Sequence, residues 1–311
     1  MARIVFMGTP MFAVPSLRAL IEAGHNIVAA ITQPDKPRGR GLEPKSCPVK
    51  ELAMASGIPV LEPAKLRDEA FLERLTGLAP ELIAVVAYGK ILPPSILKLP
   101  PMGCVNLHAS LLPKYRGAAP INWAIINGEK ETGACTMLLD EGMDTGGVLL
   151  CERVAIGEDD TAEDLLKTLS EKGAPLLSKT IGLLLEGAIK PVPQDNSLAT
   201  YAAMLKKEDG RIDWTKNAQE IKDRVRGLYP WPGAFTTWKG LLKIHIGRVA
   251  DSTLPAGAGP GTVLGSTDRG ILVACGAGVF EITELQPENK RRMSANEFLK
   301  GYRISKGERF V

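Results

Sequence analysis

The chain has 311 residues, of which 45% are hydrophobic and 23% are charged, and this balance is typical of a globular protein with room for two hydrophobic cores. These values exclude the fibrous and the intrinsically disordered classes of protein. The net charge of +3 at pH 7 is too small to indicate a nucleic-acid-binding protein by itself. The basic excess lies in the C-terminal third, where residues 208–311 contain 16 Lys or Arg against 12 Asp or Glu.

The sequence also argues against membrane and metal-binding proteins. No run reaches the roughly 18 to 20 consecutive apolar residues that cross a bilayer, and Met1 leads directly into a strand pattern. We therefore expect a cytoplasmic protein that does not insert into a membrane. The cysteines are scattered, without a C-x-x-C pair or clustered histidines, so we expect five reduced thiols and no metal site. They are Cys47, Cys104, Cys135, Cys151 and Cys275.

The first half of the chain alternates short apolar runs with amphipathic segments. The apolar runs predict strands at 3–7, 27–31, 82–87, 104–107 and 135–139, and the amphipathic segments predict helices beginning after the turn at Gly8-Thr9-Pro10 and near 48–56, 68–78, 93–98 and 120–127. This alternation indicates the α/β class, with a doubly wound parallel sheet. The first turn lacks the second and third glycines of a dinucleotide-binding loop, which argues against a nicotinamide oxidoreductase.

The second half begins with a long helical pattern and then changes character. We predict a helix over 161–186, divided at Pro175, and then an extended polar stretch. We place the domain boundary in that stretch, with a first domain over 1–187, a linker over 188–207 and a second domain over 208–311. Turn-forming dipeptides interrupt short segments rich in Ile, Val and Thr in the second domain, which predicts a small β-barrel.

Three polar side chains are candidates for catalysis. Alternation along the strand places Asn106 and His108 on one face, at the carboxyl end where open α/β sheets bind ligands. Asp144 lies in a glycine-rich segment after the next apolar strand, and we expect it at a comparable edge of the sheet. A single histidine in a strand is often a hydrogen-bonded core residue, and that alternative stays open for His108.

An amide, an imidazole and a carboxylate together suit acyl transfer without a covalent enzyme intermediate. We expect His108 to accept or relay the proton of an attacking amine, with its tautomer and charge set by Asp144. The Asn106 amide would donate to the developing oxyanion. Cys104 is an alternative nucleophile on the same strand face, although its earlier position predicts a deeper and inert thiol.

Several segments resemble the formyltransferases that use 10-formyltetrahydrofolate. The signature segments are Asn106-Leu107-His108, Ser110-Leu111-Leu112-Pro113, Arg116-Gly117-Ala118-Ala119-Pro120 and Asp140-Glu141-Gly142-Met143-Asp144-Thr145-Gly146. Further segments resemble the methionyl-tRNA formyltransferases within that group, so the resemblance covers nearly the whole chain. They are Phe6–Pro10, Thr32–Pro37, Gly39–Gly41, Pro48–Lys50, Ala87–Gly89, Gly210–Trp214 and Pro230–Pro232.

The resemblance implies a Rossmann-like formyl-transfer domain followed by an OB-like barrel. It implies that 10-formyltetrahydrofolate is the co-substrate, that methionyl initiator tRNA is the acceptor, and that Asn106, His108 and Asp144 are catalytic. The implied folate-binding residues are Ser110, Leu111, Leu112, Pro113, Val86, Tyr88, Gly89 and Asp140. The basic loop over 35–50 would enter the acceptor end of the tRNA through Lys36, Arg38, Arg40 and Lys45. We expect the chain to act as a monomer.

Two other functions stay open. A formyltransferase for an amino sugar or another small amine would share the catalytic signature, but it would not need a basic second domain. A ligand-binding or RNA-binding module would keep the fold without the chemistry, and the complete set of Asn106, His108 and Asp144 argues against it. Without the resemblance, the basic loop reads equally well as a solvated flexible segment.

Overall fold

The computed structural model describes residues 2–35, 37–38, 43–44, 46–251 and 253–311. The chain forms two compact units. Unit 1 contains Met1–Pro120, Glu131–Ala155 and Leu166–Ala202, and unit 2 contains Ile121–Lys130, Ile156–Leu165 and Ala203–Val311. Residues 188–202 of the predicted linker thus belong to unit 1, whereas the predicted domain bounds at 187 and 208 stay predictions.

The strands of unit 1 are short and mostly apolar. They are β1 (Arg3–Gly8), β2 (Asn26–Ile31), β3 (Pro37–Arg38), β4 (Glu43–Pro44), β5 (Val60–Leu61), β6 (Leu82–Val86), β7 (Cys104–His108), β8 (Arg116–Gly117), β9 (Glu131–Leu138), β10 (Val148–Ala155) and β11 (Tyr201–Ala202). Seven of them form one sheet in the order β10-β9-β7-β6-β1-β2-β5. All five residues of β6 are buried, as expected for a central strand with both faces covered.

The predicted Rossmann-like α/β architecture is confirmed, with one correction to strand direction. The pairs among β1, β2, β5, β6 and β7 are parallel, but β9 runs antiparallel to β7, and β10 runs antiparallel to β9. An apolar run has the same period in either direction, so the sequence pattern does not report strand orientation.

Six of the α-helices in the described residues match predicted segments, whereas the two in residues 208–311 were not predicted. They are α1 (Val14–Glu22), α2 (Pro48–Ala55), α3 (Glu69–Gly77), α4 (Pro94–Leu97), α5 (Pro120–Ile126), α6 (Ala162–Leu185), α7 (Ala218–Gly227) and α8 (Ala295–Gly301). The predicted division at Pro175 is wrong, because α6 is one continuous helix. Pro175 lies on the exposed side together with Glu171, so the carbonyl group that the proline leaves unpaired can be hydrated.

Unit 2 has an antiparallel sheet, which confirms the predicted β-rich C-terminal domain. Its strands are β12 (Ala234–Thr237), β13 (Leu241–Val249), β14 (Val263–Ser266), β15 (Ile271–Ala274), β16 (Val279–Pro287) and β17 (Met293–Ser294). The order is β12-β13-β16-β15-β14, and β17 pairs with β16. Aromatic rings fill its core: Trp214 lies 6.3 Å from Phe280 and 5.9 Å from Phe310 between ring centroids.

Two expectations about local structure are wrong. The glycines and prolines of the basic loop over 35–50 predict an irregular segment, but β3 pairs with β4 within it. The start of α2 at Pro48 agrees with the helix predicted near 48–56. Cys135 and Cys151 form a disulfide, so they are not reduced thiols. These two cysteines are directly opposed in the β9–β10 register, with Cα atoms 4.1 Å apart, a proximity that their spacing along the chain does not reveal.

The described ranges, 2–35, 37–38, 43–44, 46–251 and 253–311, contain neither a cluster of metal-ligating side chains nor a helix that could span a membrane. Within those ranges, no group of three or more His, Cys, Asp or Glu side chains is arranged to hold a metal ion. None of the helices there combines the length and the apolar composition needed to cross a bilayer.

Candidate active site

The candidate site forms where β7 ends. His108, the last residue of this strand, is 6% exposed, and Asn106 on the same strand face is partly exposed. The structure brings His108 together with Asp144: the His108 Nδ1 and Asp144 Oδ2 atoms are 3.7 Å apart. The predicted imidazole and carboxylate therefore face one another, and Asn106 lies two residues earlier on the strand.

The tautomer of His108 is set by a backbone carbonyl group and not by Asp144. His108 Nε2 lies 2.9 Å from the carbonyl oxygen of Tyr115. A carbonyl oxygen can only accept, so Nε2 carries the hydrogen, and in the neutral ring Nδ1 keeps its lone pair. This corrects the expectation that Asp144 fixes the tautomer. The basic nitrogen is consequently Nδ1, which faces the carboxylate.

Asp144 reaches this position by a route that the sequence pattern did not predict. Because β9 is antiparallel, it ends at Leu138 opposite Val105, beside the start of β7 and not its end. The segment over 139–147 must therefore return along the sheet to bring Asp144 to His108. Asp144 has a left-handed backbone, with φ of +53°, and its Oδ2 accepts a hydrogen bond from Gly117 N at 2.8 Å.

The predicted folate residues around β6 contribute mainly backbone to the surface. The side chains of Val86 and Tyr88 are buried, and burial raises the pKa of Tyr88 to about 12. Gln33 Nε2 donates to the Tyr88 carbonyl oxygen at 2.7 Å, which fixes the turn after the strand. Gly89 is exposed, so this turn presents main chain to a ligand.

The remaining predicted folate residues lie close in sequence to His108 and Asp144: Ser110–Pro113 follow His108, and Asp140 precedes Asp144. The Ser110 hydroxyl is buried and donates to the Lys114 carbonyl oxygen at 2.6 Å, whereas Leu111, Leu112 and Pro113 are partly exposed. Asp140 Oδ1 accepts from Gly142 N at 3.0 Å and from Thr145 Oγ1 at 2.7 Å. Asp140 therefore shapes the loop that carries Asp144.

A cleft of about 700 Å³ lies in unit 1 beside the predicted folate residues, and the sequence did not predict it. Its walls combine apolar side chains with three cations and one carboxylate. The apolar side chains include Leu92 and Ile91, the cations are Lys65, Arg67 and Lys90, and the carboxylate is Glu141. Lys90 and Glu141 directly follow the predicted positions Gly89 and Asp140 in the chain, which was the only sequence signal for the cleft.

Cys104 does not have the properties of a nucleophile. The residue is fully buried, and its thiol lies 3.8 Å from the carbonyl oxygen of Ile96. Burial raises its pKa to about 12, so the thiolate is a very minor species at neutral pH. The structure thus supports the expectation of an inert thiol.

Most of the predicted tRNA-binding residues cannot be placed. Lys36, Arg40 and Lys45 lie outside the described residues, and Arg38 is located only as a backbone position of β3. Lys50, in the same basic loop, is already paired: its Nζ lies 2.6 Å from Asp35 Oδ2 and 2.7 Å from Glu62 Oε2. These hydrogen bonds raise the pKa of Lys50 to about 12.

Three contacts to the His108–Asp144 pair were not predicted from the sequence. They come from the Tyr115 carbonyl group, the Gly117 amide and the Gln194 side chain, whose Nε2 donates to the Asp144 carbonyl oxygen at 2.9 Å. Two of the three are backbone groups, which carry no residue-type signal. Gln194 lies 50 residues from Asp144, in a stretch whose composition indicates only a linker.

Comparison with known proteins matches both units to one family of enzymes. Residues 2–181 match the family model described as formyl transferase, and residues 204–303 match the formyl transferase C-terminal domain. A solved N-formyltransferase from Helicobacter canadensis, in complex with folinic acid and dTDP-3-aminofucose, superposes with a TM-score of 0.70 at 19% identity. That alignment covers 94% of this chain and 100% of the other, and it establishes the shared fold.

Curated relatives are much closer in sequence. Methionyl-tRNA formyltransferase of Pelobacter propionicus is 53% identical over 305 residues, covering 98% of this chain and 94% of the relative. The enzyme of the same name from Citrifermentans bemidjiense is 50% identical over 305 residues, covering 98% and 95%. Each of these matches covers 98% of this chain, so it spans both units. The chain therefore belongs to the methionyl-tRNA formyltransferase family.

Proposed function

We propose that this enzyme transfers the formyl group of 10-formyltetrahydrofolate to the amino group of methionyl initiator tRNA, for translation initiation. The observation that carries the chemistry is the facing pair of His108 Nδ1 and Asp144 Oδ2, 3.7 Å apart at the end of β7. Family membership supports the choice of acceptor, because the relatives at about 50% identity bear that name. Since charged initiator tRNA is used by ribosomes, the reaction takes place in the cytoplasm.

His108 acts as the general base in this proposal. Its Nδ1 lone pair accepts the proton that the methionyl amine loses as nitrogen bonds to the formyl carbon. The resulting imidazolium keeps its Nε2 hydrogen bond to Tyr115, and the Asp144 carboxylate stabilises its charge. His108 then returns the proton to N10 of the departing tetrahydrofolate, so the same side chain accepts and donates the transferred proton.

Asn106 and Gly117 complete the arrangement. The Asn106 amide donates to the formyl oxygen as that oxygen gains negative charge, a role for which a fixed donor is effective. The Gly117 amide donates to Asp144 Oδ2 at 2.8 Å, which holds the carboxylate in its orientation. The folate donor supplies only the activated formyl group. Asn106, His108 and Asp144 position that group, and His108 moves the proton.

The cleft in unit 1 has walls that fit a folate. A flat ring system packs against apolar side chains such as Leu92 and Ile91, and Ile91 is 81% exposed. The cations Lys65, Arg67 and Lys90 would pair with the carboxylates of a glutamate tail. Gly89 directly precedes the cleft residue Lys90 in the chain, and the partly exposed Leu111–Pro113 segment follows His108 closely in the chain.

The tRNA would be bound by the basic loop and by unit 2. Residues 208–311 carry the basic excess, and phosphate contacts dominate the affinity of proteins for nucleic acid. Lys36, Arg38, Arg40 and Lys45 supply cations from within the sequence range of unit 1. We also propose a monomer, because one copy of unit 1 supplies every member of the catalytic set.

The decisive experiment is incubation of the purified full chain with labelled 10-formyltetrahydrofolate and charged initiator tRNA, followed by detection of formyl-methionine. We expect formylated tRNA with the native chain and a loss of about two orders of magnitude or more with His108→Gln. Product formed instead on a nucleotide-linked amino sugar would indicate the amino-sugar alternative. Folate and tRNA binding without turnover on either amine would indicate a binding module. Light scattering of the same preparation tests the monomer.

A further inference from the structure

The Gln194 side chain lies between two parts of the catalytic unit and uses all its hydrogen-bonding groups. Its Nε2 donates to the carbonyl oxygens of Asp144 at 2.9 Å and Gly146 at 2.7 Å. Its Oε1 accepts from Arg116 Nε at 3.1 Å and Nη2 at 2.8 Å. A primary amide has two N–H donors and two acceptor lone pairs, so every one is engaged.

The backbone just before Gln194 runs beside the C-terminal end of the Asp144 loop. Val192 and Val148 exchange two hydrogen bonds, with N···O distances of 2.8 and 2.9 Å. A Cβ atom added to Gly147 would lie 2.7 Å from Pro191 Cβ, so the two segments are in close contact. The chain around residues 191–194 is therefore an added strand-like edge of unit 1, although its composition resembles that of a linker.

Asp144 needs external support because its own conformation is unfavourable. A left-handed backbone at a residue other than glycine costs of order 1 kcal/mol or more unless its surroundings hold it. The loop around it is open to solvent, and Met143 beside it is 56% exposed. Rotation of the Asp144 peptide groups would swing the carboxylate away from His108 Nδ1 and Gly117 N. The hydrogen bond from Gln194 to the Asp144 carbonyl group opposes that rotation.

Arg116 anchors the other end of the Gln194 amide. It is 1% exposed, so its guanidinium is fixed in the interior, and Nη2 also donates to Asn196 Oδ1 at 2.8 Å. Its main-chain N–H donates to the Thr200 carbonyl oxygen at 2.9 Å. A buried guanidinium has little freedom to move, so it holds the Gln194 amide in place. The Gln194 amide in turn holds the Asp144 loop through its hydrogen bonds.

We propose that Gln194 is a positioning residue that acts through Asp144, and that the segment over 191–194 supports the loop that carries this carboxylate. Gln194 itself touches neither reacting group. It holds the Asp144 carboxylate at the place where it stabilises the His108 imidazolium. The inference rests on the proposed formyl transfer, and it adds a component to the site that lies outside the family's signature segments quoted above.

The test uses two substitutions in the full chain. Gln194→Met keeps the length of the side chain and removes all four hydrogen bonds, whereas Gln194→Glu keeps acceptors for Arg116 and removes both donors to the loop. At saturating labelled 10-formyltetrahydrofolate and charged initiator tRNA, we expect both variants to lower the single-turnover rate about tenfold or more. We expect KM for tRNA and Kd for folate to change less than about twofold. Asn196→Ala, which removes an Arg116 contact without touching the loop, should stay within about twofold of the native rate.

A double-mutant cycle with Asp144→Asn separates positioning from general stability. If Gln194 acts through the carboxylate, Gln194→Met has less than about a twofold effect once that charge is absent. A full additional loss in the Asp144→Asn background, or a native rate in both single variants, would overturn the proposal.

Amide hydrogen exchange gives a readout that does not depend on the substrate. Gln194→Met should accelerate exchange in peptides covering 140–147, and Asn196→Ala should not. Unchanged exchange in that loop would overturn the inference even if turnover falls. Inactivity of the native chain on charged tRNA, together with faster exchange in Gln194→Met, would instead count against the proposed acceptor and leave the positioning role supported.

Discussion

His108 donates from Nε2 to the carbonyl oxygen of Tyr115 at 2.9 Å, and this contact decides which ring nitrogen is free to act as a base. Tyr115 has a left-handed backbone with φ of +59°, and its N–H donates to Thr200 Oγ1 at 2.9 Å. The carbonyl group is thus held from outside its own turn. Residues 200–202 therefore support the tautomer of His108 as well as pairing with β8.

The first prediction separates the two nitrogens of His108. In His108→Gln the amide nitrogen occupies approximately the place of Nε2, so the bond to Tyr115 is retained and the base at Nδ1 is lost. We expect the single-turnover rate to fall by about two orders of magnitude or more, with a melting temperature close to that of the native chain. His108→Ala should show the same rate loss and a lower melting temperature. A native rate in His108→Gln would rule out Nδ1 as the base.

The second prediction concerns the charge of Asp144. Asp144→Asn preserves an oxygen acceptor for Gly117 N, and asparagine tolerates the left-handed backbone at this position. We expect formyl transfer to slow by about tenfold to a thousandfold while folate affinity, measured by fluorescence titration, stays unchanged. Asp144→Ala is a poorer probe because it adds backbone strain to the loss of charge. If Asp144→Asn binds folate weakly, the carboxylate belongs to the folate site and not to proton transfer.

The sequence predicts the fold of unit 1 better than it predicts the route by which His108 and Asp144 come together. Residue alternation places Asn106 and His108 correctly, because the side-chain period of a strand is local. Strand direction is not local, so the reversal of β9 was missed, and Asp144 reaches His108 only because its loop folds back. Gln194 could not be identified either, since its contacts depend on long-range topology and a polar extended segment has the same composition whether it packs or not.

The third prediction follows from the burial of Cys104. Its pKa is raised from 9.0 to about 12, so the unfolded chain loses this proton at a lower pH than the folded chain does. The resulting stability is fully present below pH 9 and is lost as the pH rises from about 9 to about 12. Cys275 and Tyr88 have pKa values raised in the same direction. We expect the free energy of unfolding to fall steeply over this range in the native chain and less steeply in Cys104→Ala, measured by urea denaturation.

The same variant tests the cysteine nucleophile. An inert Cys104 predicts that Cys104→Ala retains formyl transfer to within about twofold at neutral pH, because the native thiol is almost entirely protonated there. Loss of turnover in a folded Cys104→Ala chain would support Cys104 as a nucleophile.

The fourth prediction concerns a buried ion pair in unit 2. Arg226 Nε lies 2.8 Å from Asp223 Oδ1, with side chains 7% and 6% exposed, and Arg226 Nη1 donates to the Gly157 and Asp160 carbonyl oxygens. Arg226→Met leaves the Asp223 charge buried without this partner, so we expect a loss of about 3 to 5 kcal/mol in the free energy of unfolding of unit 2. Lys222→Met is the control, because its partner Asp159 is 89% exposed and the pair should contribute at most about 1 kcal/mol.

Tryptophan fluorescence reports this unfolding selectively. The four tryptophans are Trp123, Trp214, Trp231 and Trp238, and all belong to unit 2. Equal destabilisation by Arg226→Met and Lys222→Met would mean that the buried Arg226–Asp223 pair contributes no more to the free energy of unfolding than the Lys222–Asp159 pair does.

The last prediction concerns Arg40, which lies between Gly39 and Gly41 in the basic loop. A guanidinium pairs bidentately with phosphate or stacks on an unpaired base, and a lysine ammonium reproduces neither well. We therefore expect Arg40→Lys to be impaired in reaction with charged tRNA and Arg40→Ala to be more impaired, with folate binding unchanged in both. If the loop also positions the methionyl end, the loss should persist at saturating tRNA, because a misplaced amine slows the chemical step itself. Lys45→Ala is the charge-matched control. A specific role for Arg40 would be contradicted by two results together. Arg40→Lys would react at the native rate, and the defect of Arg40→Ala would equal that of Lys45→Ala and disappear at high tRNA concentration. Arg40 would then contribute only general positive charge.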